Sequence, residues 1–303
     1  MKDIHMNFSQ LQSFVALAET GSFTEAAYTI NLTQSAVSHA LSALESELGV
    51  TLLERNRKGV VSLSRVGEKI LPHVRLLVAQ AEAIEQEAKV ARGEAAGKVR
   101  LGSIESMIPP RLLASMLTRF RVAYPDIEVV LFEGSMHEVG DWIEQGVIDV
   151  GFVLLPAPGI DGTLLTTDEL CVLLPPGHPL QTRKTLTPED LREEGFVMEK
   201  TQCSLNLMRR AGFVLDKYKS QIRYQASDTA TILAMVREGL GITLMPRKLL
   251  PSKLEGVVAL SLNPPQDLRI GLAVKSQDAA PPGAKLFIQT ALTCAQAQAG
   301  ATA

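Results

Sequence analysis

Gln34, Ser35, Ser38, His39 and Ser42 fall on one side of a helical stretch from Thr33 to Leu48. Their amides, hydroxyls and imidazole supply donors and acceptors, with no acid among them. Such a face suits base edges in a DNA major groove, where each base pair shows its own donor and acceptor pattern. The solvated side of an ordinary amphipathic helix has the same composition, so the neighbours must decide. Arg55, Arg57 and Lys58 follow, around Asn56 and ahead of Gly59. Cations without an acid at a hairpin tip suit backbone phosphates; a solvated turn is the plainer reading. With Thr33 at the helix start, these are the candidate DNA contacts.

A second group of polar side chains ends three strand-like runs. Val99 to Gly102 leads to Ser103, Glu105 and Ser106, and Phe196 to Met198 leads to Thr201, Gln202, Cys203 and Ser204. Ile222 to Ala226 leads to Ser227, Asp228 and Thr229. Open α/β sheets bind ligands at the carboxyl ends of strands, beside helix N-termini with unpaired N–H groups. The same hydroxyls also cap helices, so each is a ligand contact or a cap. Glu105 would repel an anionic ligand unless its carboxylate points away.

Catalysis finds no foothold. His5, His39, His73, His137 and His178 are scattered without metal-ligand spacing, and no nucleophile, base and orienter stand together. His178 in PPGHPL reads as a turn residue, and GLGI at Gly239 and Gly241 is too short a signal for a dinucleotide. No enzyme activity, cofactor or metal is expected.

The elements that must position the first group are legible. Leu11, Phe14, Val15, Leu17 and Ala18 make an amphipathic helix stopped by Gly21. Ser22 stands three residues before Glu25, a capping-box spacing that starts a second helix near Thr24. Asn31 and Leu32 turn the chain, Thr33 caps the third helix, and Gly49 closes it. Ala36, Val37, Ala40, Leu41, Leu44 and Leu48 are its apolar stripe. Val50 to Leu53 and Val60 to Leu63 then read as two short strands flanking the cations. Three helices and a basic hairpin are the layout of a winged helix-turn-helix.

Ser64 can cap a long helix to about Arg92, interrupted by Pro72, which should bend it or cost a hydrogen bond. Ile70, Val74, Leu77, Ala81 and Ile84 form a narrow seam. The small head has nothing to cover such a seam, so the same helix of a second copy is the expected cover; packing on its own chain is the alternative. Gly93 to Gly97 reads as a hinge. Beyond it, strands at Val99 to Gly102, Ile127 to Phe132, Val150 to Leu154, Cys171 to Leu174, Ile222 to Ala226 and Ile270 to Val274 alternate with helices. The alternation predicts a mostly parallel α/β sheet.

From about Asn7 to Leu71 the chain resembles the N-terminal signature of LysR-type transcriptional regulators. The resemblance rests on AETGSFTEAA, Gln34–Ser35, SHALSALESELG and the run from Leu53 to Gly67. Ser35 stands where the family more often has proline, and His39 where arginine or histidine is usual, which alters local base contacts. Looser matches in GKVRLGSIES, FRVAYPDIEVVLFEG, IEQGVIDVGFV and MVREGLGITLMP carry the resemblance to about residue 295. It implies a winged helix-turn-helix domain over 1–63, a dimerisation helix and hinge over 64–97, and an effector domain over 98–303. That domain would be two α/β lobes built like a periplasmic binding protein, about 98–165 with 268–303, and 166–267. Ser103, Glu105, Ser106, Thr201, Gln202, Cys203, Ser204 and Thr229 would line the cleft between them. The resemblance further implies an interrupted palindromic double-stranded DNA operator, a small-molecule effector, a homodimer or homotetramer, and contact with RNA polymerase. Peroxide-sensing members carry a reactive cysteine in the loop where Cys203 falls. A thiol-based sensor is therefore the alternative, though Gly212 stands where the resolving cysteine would be.

Composition agrees. A net charge of −3 over 303 residues provides no global pull toward DNA. The positive charge is local: Arg55, Arg57, Lys58, Arg65, Lys69 and Arg75 face only Glu54 and Glu68 between residues 51 and 75. No apolar run is long enough for a membrane span. Cys171, Cys203 and Cys294 are too far apart for a disulfide framework or a zinc site, which suits a reducing cytoplasm.

Overall fold

The computed structural model describes residues 5–55, 61–92, 97–104, 107–199, 207–209, 212–213, 221–226, 228–251 and 253–301. Arg57, Lys58, Glu105, Ser106, Thr201, Gln202, Cys203 and Ser204 lie outside the described residues, as do most of the expected hinge and most of a helix expected over 205–215. The chain divides into two compact units, Met1–Glu94 with Gln145–Val147, and Ala95–Glu144 with Ile148–Ala303.

In the first unit, α1 (Phe8–Thr20) starts at a capping box in which Asn7 and Gln10 each accept the other's backbone N–H. Gly21, at φ 64°, closes it in the left-handed region. α2 (Phe23–Thr29) begins at Ser22, whose hydroxyl accepts the Glu25 N–H. α3 (Gln34–Leu48) begins at Thr33, whose hydroxyl accepts from Ala36, and ends at Gly49. Ala26 and Ala27 are buried, and their small side chains let the helices approach closely. Phe14, Leu17, Leu44 and Leu52 are fully buried in one shared core. Burying each contributes about 1.5–3 kcal/mol relative to leaving it exposed.

β1 (Leu53–Arg55) and β2 (Val61–Leu63) form the expected antiparallel hairpin, with Leu53 opposite Leu63. The first strand begins later than the apolar run suggests. Glu45 Oε1 takes the N–H groups of Leu52 and Leu53, at 2.7 and 3.2 Å, and the Leu52 carbonyl accepts the Ser64 N–H at 2.9 Å. A side chain therefore holds the backbone where a ladder was expected.

α4 (Arg65–Ala91) runs through Pro72, and Ser64 Oγ caps it by accepting the Gly67 N–H at 3.0 Å. Its seam needs a correction. Val74 is buried with Leu71 and Val78 in the unit's own core, and Ile70 packs against that core. The head does cover the first half of the helix, where Arg75 also pairs with Glu19 of α1 at 3.4 Å. Leu77 and Ile84 remain 51% and 72% exposed, although Val78, Ala79 and Ala83 near them are buried.

The second unit contains β3 (Gly97–Ile104), α5 (Pro110–Ala123), β4 (Ile127–Gly134), α6 (Met136–Glu144), β5 (Val150–Leu154), β6 (Asp161–Leu174) and β7 (Thr185–Leu186). β8 (Phe196–Glu199), β9 (Ile222–Ala226), α7 (Thr229–Arg237), β10 (Thr243–Pro246), β11 (Val258–Leu262), β12 (Asp267–Val274) and α8 (Pro282–Ala301) follow. The main sheet runs β4-β3-β5-β12-β6-β11-β7, with β10 also on β6, while β8 and β9 pair separately. The expected mostly parallel sheet is in fact mixed. β3 runs parallel to β4 and β5, but β12 is antiparallel to both β5 and β6, and β6 is antiparallel to β10 and β11.

Two polar clusters hold this unit. Arg100 grips both carboxylate oxygens of Asp149 at 2.8 and 3.2 Å, tying β3 to the start of β5. On β6, Glu169 accepts from Arg247 at 2.8 Å, and the buried Asp168 accepts the Lys248 N–H at 3.0 Å. Burial pushes the Asp168 carboxyl above its usual range, against the pull of hydrogen bonds from the Glu169 and Lys248 N–H groups.

Gly67 fixes a close approach that no larger residue would allow, since an added Cβ would sit 2.1 Å from the Leu52 carbonyl oxygen. Gly67→Ala is therefore expected to destabilise the first unit by about 1–3 kcal/mol. Chemical denaturation followed by far-ultraviolet dichroism reads this, and an unchanged midpoint would refute the contact.

Candidate nucleic-acid interface and ligand cleft

α3 is anchored on one side and open on the other. Val37, Leu41 and Leu44 are buried, whereas Gln34, Ser35, His39 and Ser42 are exposed and Ser38 is partly so. The expected stripe and the expected reading face thus separate on the real helix. Thr33 is exposed, but its hydroxyl already caps Ala36 at 3.2 Å and meets Ser35 Oγ at 3.1 Å. Its part is to orient the helix start. No acid lies in the first turn, so the positive end of the helix dipole is left for a phosphate or an electronegative base edge. Of the hairpin cations, Arg55 ends β1.

Sequence reasoning passed over Glu45. The clue was an acid in the middle of a helix offered to DNA, which is tolerable when structural bonds occupy it. Here two backbone N–H groups do so.

β3 and β4 run in register to Ile104 and Gly134, which brings Ser103 beside the start of α6. Ser103 itself is buried. Ser135 was not anticipated. It forms a capping box with Glu138, taking the Glu138 N–H at 3.3 Å while Glu138 Oε2 accepts the Ser135 N–H at 2.8 Å. Hydrogen bonds from the Ser135 side chain and then its backbone hold the Glu138 carboxyl below its usual range. The serine–glutamate spacing was the available signal. Pro109 and Pro110 open α5, as prolines at a helix start do.

β8 and β9 run parallel with Glu199 opposite Ala226, so the described ends of both strands lie at the same edge. Asp228 caps α7 by accepting the Thr231 N–H at 2.8 Å, and Thr229 is the helix's partly buried first residue. The cap is thus supplied by Asp228.

The doubtful signals resolve as structure. His178 Nδ1 accepts the Leu180 N–H at 3.3 Å, and its Nε2 lies 3.3 Å from Glu194. Gly239 turns at φ 77° beyond α7, and a Cβ on Gly241 would meet the Gly195 carbonyl oxygen at 2.3 Å. Cys171 is buried with its thiol donated to the Met245 carbonyl at 3.2 Å, and burial pushes it up to about 12. Burial also raises the thiol of Cys294. Among the described residues, no group of three or more His, Cys, Asp or Glu could hold a metal, and no helix is long and apolar enough to cross a membrane.

Three helices with a short antiparallel hairpin, followed by a separate α/β unit, are the architecture of a DNA-binding regulator. Residues 8–68 match the bacterial regulatory helix-turn-helix protein of the lysR family, and residues 92–295 match the LysR substrate binding domain. The uncharacterized HTH-type transcriptional regulator YvbU of Bacillus subtilis is 34% identical over 295 residues, 94% of this chain and 98% of that protein. A probable hydrogen peroxide-inducible genes activator of Mycobacterium leprae is 30% identical, covering 91% of this chain and 90% of its own length. Full-length OxyR from Pseudomonas aeruginosa shares the fold at a TM-score of 0.76 and 22% identity, over 96% of this chain and 95% of that one. The chain belongs to the LysR family of transcriptional regulators, with a helix-turn-helix DNA-binding domain and a substrate-binding effector domain.

Gln34 opens α3 and is exposed. Gln34→Ala is expected to weaken operator binding by about 1–3 kcal/mol and leave binding to random DNA nearly unchanged. A mobility-shift titration showing equal losses on both would remove Gln34 from base reading.

Proposed function

We propose that the chain is a cytoplasmic regulator without catalytic activity that binds DNA as a dimer or tetramer. Paired α3 helices would enter successive major grooves of an interrupted palindrome, with Gln34, Ser35, Ser38, His39 and Ser42 toward bases. Arg55, Arg57 and Lys58 would meet phosphates. The observation that carries this reading is the exposure of Gln34, Ser35, His39 and Ser42 on α3, none of them acidic, set against a buried apolar face. Leu77, Ala81 and Ile84 would meet their symmetry mates, since the exposure of Leu77 and Ile84 is costly in a lone chain.

Within 98–303 the two lobes would exchange along β6, whose first half pairs with β12 and whose second half pairs with β10 and β11. An effector would lie between Ser103, Glu105 and Ser106 on one side and Thr201, Gln202, Cys203, Ser204 and Thr229 on the other. Its binding would shift the lobes and, through the hinge at 93–97, the spacing of the reading heads.

Leu77→Glu would bury a charge against its mate. It is expected to yield monomers in sedimentation, with affinity for a two-half-site operator at least tenfold lower. Wild-type oligomers in that variant would return the seam to its own chain.

A second reading is favoured by the relative described as a peroxide-inducible genes activator: Cys203 would be an oxidisable thiol. Cys171 and Cys294 are poor partners, because burial keeps both in the thiol form. If this second reading holds, dilute hydrogen peroxide should oxidise Cys203 alone, read by mass spectrometry, and change operator binding. Cys203→Ser should abolish that change. Operator binding that ignores peroxide would sink the redox reading and leave the effector reading standing.

A further inference from the structure

A cavity of about 260 Å3 opens in the second unit between β6, β12, the loop after β12 and α8. It is set apart from the strand-end cleft, at Thr163 near the beginning of β6. Val274, Ile288 and Leu292 make its apolar wall, and Lys285, Gln289 and Thr163 bring polar groups to it.

Lys285 is the informative residue. It lies in the opening turns of α8, where a cation is unfavourable to the helix dipole. Its side chain is partly buried, and its ammonium donates to the Asp278 carbonyl at 3.3 Å. It forms no ion pair among the described residues. A cation this close to the positive end of its helix adds positive potential to the cavity.

The donors are also pre-arranged. Gln277 is held by its backbone N–H to Asp161 at 2.8 Å, and its amide donates to Thr163 Oγ1 at 3.1 Å. The Thr163 oxygen therefore accepts, and its own O–H is free to turn toward a ligand. The lining includes one cation and no acid. That balance suits a single negative charge carried on an apolar body and disfavours both amines and multiply charged phosphates. At about 30 Å3 per water, the volume equals roughly nine waters, enough for an acid of about six carbons.

We propose that this cavity is a second ligand site, which takes a small free monocarboxylate with an apolar tail. Lys285 pairs with the carboxylate, Thr163 and Gln289 donate to it, and Ile288 and Leu292 cover the tail.

Sodium hexanoate, with hexanol and hexylamine as controls, tests this on the full-length chain. Acetic anhydride labelling read by mass spectrometry should show Lys285 protected at least fivefold by hexanoate and by neither control. Calorimetry should show saturable hexanoate binding that falls at least tenfold in Lys285→Met, a variant that keeps the stem and drops the charge. Equal labelling of Lys285 with and without hexanoate would overturn the proposal, as would undiminished binding in the variant. The labelling is read on the wild-type chain and decides the matter whatever the variant's stability.

Discussion

One oxygen of the Glu45 carboxylate accepts both the Leu52 and the Leu53 N–H, while the Leu52 carbonyl receives the Ser64 N–H. This short backbone stretch joins the reading helix, the hairpin and the long helix at a single point. A charged acceptor makes such bonds stronger than neutral ones. The same Leu52 carbonyl leaves room for nothing larger than Gly67, so α4 starts hard against the hairpin. The hairpin is also tied to the first turn, through the Val61 N–H to the Gly21 carbonyl at 3.3 Å. Phosphate contacts set the register of a protein on DNA only if their scaffold is rigid relative to the helix that reads bases. Here that rigidity comes from a few backbone bonds and one glycine.

The second unit solves a different problem, how two strand-sets share one long strand. β6 pairs with β12 through Glu169 and with β10 from Leu170 onward. Asp168 and Glu169 stand at that change of partner, and Arg247 and Lys248 bind them. Arg247 also donates to Ser261 of β11 at 3.0 Å. The polar knot therefore reaches three segments where β6 changes company. A buried carboxylate with a raised pKa gains little stability of its own. Its bonds to the Lys248 and Glu169 N–H groups favour one geometry of the crossing over others.

Where a pattern depends on local chemistry, the sequence was readable. Caps at Ser22, Thr33, Ser64 and Gly49 stood where side-chain chemistry demanded them, and β5 and β9 fell on their apolar or β-branched runs. Where a pattern depends on partners, it was not. The first half of β6, Asp161 to Thr167, is too polar to announce a strand, and only its pairing with β12 makes it one. Val74 looked like an interface residue because periodicity marks an apolar face without naming what covers it. Glu45 was passed over for the same reason, since its backbone partners are seven and eight residues away. The polar face of α3 was legible, because burial of its opposite side follows from helical spacing alone.

This division has a consequence for how specificity and affinity are separated. α3 presents neutral donors and acceptors, so its contribution depends on matching bases and changes little with salt. In sequence the cations fall instead between Arg55 and Lys69, and their contacts to phosphate would be indifferent to sequence and strongly salt-dependent. In a chain of net charge −3, those cations cannot be reinforced by a general positive field. Nonspecific attraction is therefore weak. Discrimination between sites must come from the reading face, and tight binding requires more than one head to engage at once. A charge-poor reading helix and an oligomeric assembly are thus two sides of one physical requirement.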